Sequence, residues 1–505
     1  RTLSDSGEAL VFGSPEDPTA PHAEVHVHDS DLYRRVLTGG SIAAGETFIE
    51  GLWSSPDLTA VTRAFSANLS MLEAMSDKQN FIARLALKMN HWARRNTTAR
   101  SRENISAHYD LGNDFFSLFL DPSMMYSSAV FPTPDSDLAS AAQHKLHLIG
   151  EDLELKPEDH LIEIGTGWGG MAIYAAEHYG CRVTTTTISR EQFDYTVNAV
   201  TARGLQDRIT VLSDDYRDLT GQFDKLVSIE MIEAVGHQFY DTYFRTISHL
   251  LKPHGKAVIQ AITMTEQRYE QARDSVDFIK RYIFPGGCLP SLTVISDALS
   301  RMTDMQMSNL RDITQDYADT LNAWHEGFLN KLDTVQGMGF DDRFIRMWRY
   351  YLSYCEGGFR ERIIGTYQIT MTKPGYLSAC SAAYAVVPCS DCTAGCPPLY
   401  LGGAVWLERV LRSQSSRTDC CFSRHDAGGL ASRYELAGNS GRHGGRHHRF
   451  DHAHDDPSVC GRTHRQLDHQ WHRAWHDLLR RSAAGSRRLL RGLCTHLCPG
   501  LTESG

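Results

Sequence analysis

Three glycines at alternate positions, directly after an apolar run, are the residues whose spacing says most about chemistry. Residues 161–170 read LIEIGTGWGG, so that Glu163 is followed by Gly165, Gly167 and Gly169. Glycine allows a tight turn and lets a ligand approach the backbone closely. The phosphate-loop pattern is not present, because Met171 and not a Lys follows Gly170. The spacing predicts a site for S-adenosylmethionine (SAM); the alternative is an ordinary strand–turn–helix corner.

The segments around these glycines follow the pattern of an open α/β sheet. A helix follows the loop, and Gly180 is expected to end it in a left-handed cap. β-Branched and apolar stretches predict further strands within 181–189, 209–219, 223–236 and 250–263. Strands that alternate with helices predict a doubly wound, mostly parallel, Rossmann-like sheet. Ligands bind such a sheet at the carboxyl ends of its strands.

Polar side chains stand at those carboxyl ends. Asp214, Asp215 and Tyr216 end the third predicted strand, where they can accept hydrogen bonds from an adenine or stack on it. Glu230 and Glu233 lie at or just past the tip of the fourth strand. Because parallel strands end at one edge of the sheet, we expect these groups near the glycine loop.

Several longer motifs carry a resemblance to a known family. They are HYDLGNDFFSLFLDPSMMYSSAVF, EIGTGWGG, TTISREQ, DYRD, IEMIEAVG, YIFPGG and CEGGFRERIIGTYQITMTKPG. Over about 105–375 they resemble the cyclopropane-fatty-acyl-phospholipid synthases, a family that includes the mycolic acid cyclopropane synthases. Residues 33–58 are similar to the small N-terminal domain of the longer bacterial synthases. The resemblance implies a SAM-dependent methyltransferase sheet with a small N-terminal α/β domain.

The resemblance also implies a reaction and its catalytic residues. The methyl group of SAM adds to a cis double bond, and loss of a proton from the carbocation closes a cyclopropane ring. In this family the base is thought to be a bicarbonate ion held by a polar cluster. Carried over one position at a time, that cluster falls on Ser128, Glu233, Gln260, Ile262 and Tyr317. Ser128 stands where the best-known members have Cys, and Gln260 stands where they have His.

For SAM itself the resemblance implicates a second set of residues and no metal. The set is Tyr126, Ser127, Gly165, Gly167, Gly169, Thr187, Gln192 and Tyr216. Simpler structural alternatives exist for some positions. The glycines can be turn formers, Thr187 an ordinary strand residue, and Tyr317 a core tyrosine on a helix.

Composition and charge narrow the class of protein. The net charge is −10, and because residues 376–505 carry +5, the first 375 residues carry −15. A chain so acidic is a poor general binder of nucleic acid. We expect no transmembrane helix, since no apolar run is long enough, and the first residues lack the pattern of a secretory signal. Few cysteines precede residue 376, which favours the reducing cytoplasm.

The remaining segments suggest four regions. Residues 1–75 are predicted to form the small domain, and 105–375 the catalytic domain. Between them, 76–104 has seven Lys/Arg against two acids, with apolar residues at helical spacing. This basic amphipathic helix either grips anionic headgroups, which would place the protein peripherally on a membrane, or packs between the domains. A homodimer is compatible with either arrangement.

The tail, 376–505, differs in composition from everything before it. It has no Lys, Ile or Met, yet it holds nine Cys and eleven His. Such a shift is typical of translation out of frame, and we expect a disordered segment without function. The alternative is a metal-binding extension around Cys389, Cys392 and Cys396, whose spacing lacks the second pair of a zinc finger.

The sequence therefore predicts cyclopropane formation on the unsaturated acyl chains of phospholipids. Two alternatives stay open at this point. The same cation can end as a methylene or methyl branch, or the chain can be a non-catalytic lipid-binding relative. The lipid class and the position of the double bond are not determined by these residues.

Overall fold

The computed structural model describes residues 2–5, 8–11, 21–69 and 111–376. The predicted basic helix of 76–104 and the tail beyond Tyr376 lie outside these described residues. In the described part, the strands are β1 Thr2–Asp5, β2 Glu8–Val11, β3 Glu24–Val27, β4 Trp53–Ser54, β5 His160–Ile164, β6 Arg182–Thr186, β7 Ile209–Leu212, β8 Phe223–Ile229, β9 Leu251–Met264, β10 Gln306–Asp312 and β11 Ile364–Thr372.

The helices follow the same chain order. They are α1 Asp31–Ile49, α2 Leu58–Ala67, α3 Asn113–Phe116, α4 Leu138–Leu153, α5 Gly170–Tyr174, α6 Arg190–Ala202, α7 Tyr240–Leu250, α8 Tyr269–Asp274, α9 Phe278–Tyr282, α10 Leu292–Met302, α11 Thr314–Leu329, α12 Leu332–Gly337 and α13 Asp342–Arg360. A π-helical segment, Ala175–Tyr179, extends α5 to Gly180, which has the predicted left-handed conformation. None of the helices in the described ranges is both long enough and apolar enough to cross a membrane.

The central sheet has seven strands in the order β10-β11-β9-β8-β5-β6-β7. The five strands from β9 to β7 run parallel, and β11 and β10 add an antiparallel edge. The predicted mostly parallel, doubly wound α/β sheet is confirmed. The edge strand β10 escaped prediction because most of its residues are exposed and no apolar run marks it.

Both faces of this sheet are buried, which explains the apolar runs of its central strands. Leu161 and Val227 point into one cluster, packed against helices α4 to α6. Their neighbours Ile162 and Leu226 point into the opposite cluster, with α7 and α10. Successive residues of a strand face opposite sides, so a strand covered on both sides must be apolar throughout.

The N-terminal part contains α1 and α2 and a four-stranded sheet in the order β2-β1-β3-β4. Helix α2 packs against α13, where the Thr62 hydroxyl donates to the Ser353 carbonyl at 2.7 Å. The two helices lie in close contact at Gly357, where a Cβ would come within 2.4 Å of the Thr62 hydroxyl oxygen. Phe48 and Trp53 belong to the same apolar cluster as the aromatic residues of α3 and α13. The domain boundary near residue 75 stays a prediction.

The last described residue packs on the sheet. The ring of Tyr376, which the composition assigned to the tail, lies over the ammonium groups of Lys225 and Lys256, at 5.3 and 5.1 Å from the ring centroid. A cation over an aromatic face is a favourable contact. Tyr376 therefore packs against residues of the central sheet.

Candidate active site

The glycine loop connects β5 to α5, and its glycines differ in their surroundings. Gly165, Gly167 and Gly169 all have positive φ, at 97°, 53° and 89°. A Cβ on Gly169 would lie 2.8 Å from the Thr196 methyl carbon, so packing requires glycine there. A Cβ on Gly167 would meet nothing within 4 Å. The backbone at Gly167 therefore borders open space, as a ligand-binding loop requires.

The buried side chain of Glu163 helps to hold this loop in place. The Thr185 hydroxyl donates to Glu163 at 2.6 Å, and Thr185 lies 2.6 Å from the hydroxyl of Thr166. Burial raises the pKa of Glu163 to about 8. At neutral pH the side chain is therefore mostly uncharged, and it anchors the loop to β6 by hydrogen bonding.

The predicted cofactor residues after β6 and β7 differ in whether their side chains already have hydrogen-bond partners. The Thr187 hydroxyl donates to the side-chain oxygen of Gln192 at 2.8 Å, which holds both at the start of α6. The Tyr216 hydroxyl is buried and has no hydrogen-bond partner in the described part of the chain. Asp215, by contrast, is engaged by Arg217 at 2.6 Å. Of the two, Tyr216 is the group left to bind a ligand.

Tyr126 and Ser127 lie in the segment before α4. Tyr126 stacks on Trp324, with ring centroids 5.1 Å apart, and its hydroxyl lies 2.9 Å from the hydroxyl of Tyr351. Ser127 accepts a hydrogen bond from the ammonium of Lys145 at 2.7 Å. Lys145 is fully buried, and burial lowers its pKa to about 8.

These residues fit SAM on two observations of the structure. The backbone at Gly167 borders open space, and the buried Tyr216 hydroxyl, among the described residues, has no protein partner. A buried polar group without a partner is costly unless a ligand satisfies it. Both groups lie past the carboxyl ends of parallel strands, where ligands of such sheets bind.

The predicted catalytic residues meet around a carboxylate that the sequence analysis did not assign, Glu230. Its Oε1 accepts from the Ser128 backbone N–H at 2.9 Å and from Gln260 Nε2 at 2.7 Å. Its Oε2 accepts from the Tyr317 hydroxyl at 2.7 Å. The Ser128 hydroxyl donates to the carbonyl of Ala129 at 2.9 Å, so its main chain, not its side chain, contributes here.

Glu233 occupies a separate part of the same cluster. Its Oε1 accepts from the Ile262 N–H, while its Oε2 is buried without a partner among the described residues. Burial, and then the charge of Glu230, raise the pKa of Glu233 to about 8. All five predicted catalytic positions are thus brought to one edge of the sheet. Their roles stay predictions.

A chain of hydrogen bonds fixes the orientation of Gln260. Its side-chain oxygen accepts from Gln368 Nε2 at 3.0 Å, and the oxygen of Gln368 accepts from Arg311 at 2.6 Å. Arg311 in turn pairs with Asp152 at 2.6 Å. Gln260 therefore presents its amide N–H₂ to Glu230 and cannot turn its oxygen there without breaking the chain.

Aromatic rings lie beside this cluster. Tyr317 stacks on Phe359 with centroids 4.5 Å apart, and Trp324 meets Tyr317 edge-on at 6.1 Å. The faces of such rings attract positive charge. The site thus combines buried carboxyl groups with aromatic surfaces, a setting suited to a cationic intermediate.

Sequence reasoning placed Glu230 at this edge of the sheet without a catalytic role, and it missed Lys145 and Gln368. Glu230 offered a signal, because an acid at the carboxyl end of a parallel strand is well placed to face a ligand. A lysine on the apolar face of α4 was a second signal, since buried lysines are rare. Gln368 offered none, because its partner is 108 positions away in the chain.

Comparison with known proteins gives relatives over most of the described chain. A sequence model of the mycolic acid cyclopropane synthetase family matches residues 96–369. The chain is 37% identical over 377 residues to the tuberculostearic acid methyltransferase UfaA1 of Mycobacterium tuberculosis, covering 71% of this chain and 85% of that protein. It is 37% identical over 373 residues to the cyclopropane-fatty-acyl-phospholipid synthase of Escherichia coli K12, covering 74% and 91%.

A solved structure agrees with these matches. The mycolic acid cyclopropane synthase CmaA1, complexed with SAH and CTAB, superposes with a TM-score of 0.51 at 29% identity, covering 54% of this chain and 98% of that one. Sequence and fold lead to one assignment. The chain belongs to the mycolic acid cyclopropane synthetase family of SAM-dependent methyltransferases, which methylate lipid acyl chains.

Proposed function

We propose that the protein transfers the methyl group of SAM to the cis double bond of unsaturated acyl chains in phospholipids and forms a cyclopropane ring. One observation carries this proposal. A cluster of buried carboxyl groups, Glu230 and Glu233, lies beside the aromatic rings of Tyr126 and Tyr317 at the edge of the sheet where the glycine loop ends.

The two halves of the reaction correspond to two neighbouring groups of residues. SAM, when bound, supplies an electrophilic methyl group on its sulfonium sulfur. Residues that would hold it are the loop at Gly167, Ser127, Thr187, Gln192 and Tyr216, whose hydroxyl has no partner among the described residues. Because Ser127 and Ser128 are adjacent, the cofactor residues and the carboxyl cluster are joined directly.

The residues of the carboxyl cluster then act on the acyl chain. Aromatic faces at Tyr126, Tyr317 and Trp324 stabilise the positive charge that develops on the lipid. Burial keeps water away from that cation, which would otherwise be hydrated to an alcohol. A base must finally remove one proton, and the buried carboxyl groups are placed to hold or supply it.

A bound bicarbonate, expected from the family, fits this arrangement poorly. The donors of Ser128, Gln260 and Tyr317 that would hold the anion all donate to Glu230 instead. A second anion placed against Glu230 would be repelled in a buried site of low dielectric constant. We therefore derive no step through bicarbonate.

Formation of a methylene branch is a second candidate for the same site. It is favoured by the 37% identity to UfaA1, which is named as a tuberculostearic acid methyltransferase. The two products share the first cation. If the positive charge moves to the chain carbon that carries the new methyl group before the proton is lost, a methylene group forms in place of the ring. Either product requires access to acyl chains in a bilayer, so we expect peripheral contact with the cytoplasmic membrane surface.

Gas chromatography–mass spectrometry of acyl chains tests the proposal. The purified protein is incubated with SAM and vesicles of phosphatidylglycerol that carries cis-monounsaturated chains, and the chains are released as methyl esters. A cyclopropane ester is the expected product, and a methylene-branched ester supports the second candidate. Unchanged chains from a protein that binds SAM in calorimetry would contradict both and indicate a non-catalytic relative. Vesicles with saturated chains are the matched control.

A further inference from the structure

We propose that the carboxylate of Glu230 is itself the base of the reaction and takes the place of a bound anion. This inference rests on the proposed function, because it names the group that removes the proton from the methylated acyl chain. It goes beyond the family resemblance, which places an external ion at this step.

The donors around Glu230 carry the argument. Ser128, Gln260 and Tyr317 occupy positions that the resemblance assigned to anion binding, and each donates a hydrogen bond to Glu230. The protein thus provides an anion of its own at the point where these donors converge. A carboxylate and a bicarbonate present the same pair of acceptor oxygens, so one can replace the other.

The two carboxylate oxygens of Glu230 differ in how many hydrogen-bond acceptor positions remain free. Oε1 accepts from both the Ser128 N–H and Gln260 Nε2, which fills its acceptor positions. In the described part of the chain, Oε2 accepts only from the Tyr317 hydroxyl. A carboxylate oxygen has about two acceptor positions, so Oε2 retains one. Oε2 is therefore the atom that takes the proton.

The backbone of Glu230 is held in an uncommon conformation. Its φ is +49°, in the left-handed region that a residue with a side chain rarely adopts. The N–H of Glu230 donates to the carbonyl of Gln260 at 2.7 Å, which ties the residue to β9. Such strain tends to persist where geometry serves function. Here it keeps the carboxylate among its donors.

A buried cation helps to keep Glu230 charged until the proton arrives. Burial raises the pKa of Glu230, while its hydrogen bonds and, to a smaller extent, the positive charge of Lys145 oppose that shift and favour the carboxylate. Lys145 itself is held by Ser127 at 2.7 Å. A carboxylate in a buried setting is a stronger base than one in water, because burial disfavours its charged form.

The proposed step balances as follows. The alkene π pair forms the bond to the transferred methyl carbon, while the sulfur–methyl bond breaks and its electron pair stays on sulfur. Oε2 of Glu230 then takes a proton from that methyl group, and the freed C–H pair closes the third side of the ring. Glu230 becomes a neutral carboxylic acid, and its proton passes to water after the product leaves.

The first test uses the unaltered protein in CO₂-free buffer, with the same phosphatidylglycerol vesicles and SAM. We expect the rate of acyl-chain modification to be the same with and without added bicarbonate. Modification that stops without bicarbonate and returns with it would overturn the role of Glu230 but leave the proposed function standing. Absence of any modified chain under both conditions would contradict the proposed function itself, and the inference with it.

The second test removes the carboxylate. Glu230→Gln and Glu230→Ala should lose roughly a hundredfold to ten-thousandfold in turnover, the usual contribution of a positioned base. Their affinity for SAM, measured by calorimetry, should change little. Glu158→Gln, the same chemical change on an exposed turn, is the matched control and should retain full turnover.

Chemical rescue separates a base from a structural residue. Adding formate or bicarbonate to Glu230→Ala should restore part of the turnover, because a small anion can enter the space that the side chain leaves. A merely structural role would give no rescue, and full activity of Glu230→Gln would equally contradict the proposal. If Glu230→Ala does not fold, as judged by thermal melting, the bicarbonate test on the unaltered protein decides the question.

Discussion

The two ends of the candidate site are built in opposite ways. The cofactor half, formed by the glycine loop, Thr187 and Tyr216, leaves groups open: the backbone at Gly167 borders free space, and among described residues the Tyr216 hydroxyl has no partner. The catalytic half, formed around Glu230, is largely closed. In the described part of the chain, three protein groups donate to Glu230 and leave one acceptor position free on its Oε2, while Oε2 of Glu233 has no partner.

This difference reflects what each half must do. A cofactor that enters and leaves supplies its own hydrogen bonds, so the protein can leave their partners free until it binds. Proton transfer from a short-lived cation requires a base already in place, because reorganisation during the reaction would raise the barrier. An open cofactor half and a preorganised catalytic half follow from these requirements.

The largest effect is expected at the glycine loop. Gly167→Val should abolish SAM binding in calorimetry, because a branched side chain would fill the space that the backbone offers to the ligand. Its positive φ adds strain of about 1–2 kcal/mol. Gly204→Val is the matched control, since Gly204 also has positive φ and open space but lies in the turn after α6. Both variants should lose similar stability, and only the first should lose SAM. Near-normal affinity in Gly167→Val would show that the cofactor half is assigned wrongly.

A smaller effect is expected in the catalytic half. Tyr317→Phe removes a donor to a charged carboxylate, an interaction worth about 1.5–3 kcal/mol. Turnover should fall roughly tenfold to 150-fold, while the dissociation constant for SAM should stay the same. Tyr179→Phe, whose hydroxyl lies 3.3 Å from Glu151 away from the site, is the control. A loss of SAM affinity with unchanged turnover would mean that the two halves are not functionally separate.

The smallest effect is expected at Tyr216, where one substitution should change stability and SAM affinity in different directions. Tyr216→Phe removes a buried hydroxyl that has no partner in the described part of the chain, so the protein without SAM should melt at the same or a higher temperature. SAM affinity should fall by about 0.5–1.5 kcal/mol, or up to roughly tenfold, because a hydrogen bond to the ligand is lost. Unchanged affinity would indicate that the hydroxyl is left unsatisfied in the complex as well.

Much of the fold was predictable because it depends on local patterns. The apolar run of β5, the glycine loop and the left-handed end at Gly180 lie within one short stretch. By contrast, β10 lacks a buried face that would mark it. The shared core of the N-terminal helices and α13 also escaped prediction, since amphipathic helices reveal that they pack but not against what.

In the candidate site, the sequence by itself determined which residue types reach the carboxyl edge of the sheet, because strand ends and their glycines are encoded locally. Only the tertiary structure decided which of two neighbouring acids receives the donors. Ser128 lies 102 positions from Glu230, and Tyr317 lies 87 positions from it. Hydrogen-bond partners at such separations depend on how β8, β9 and α11 are placed side by side. The spacing of residues along the chain does not encode that placement.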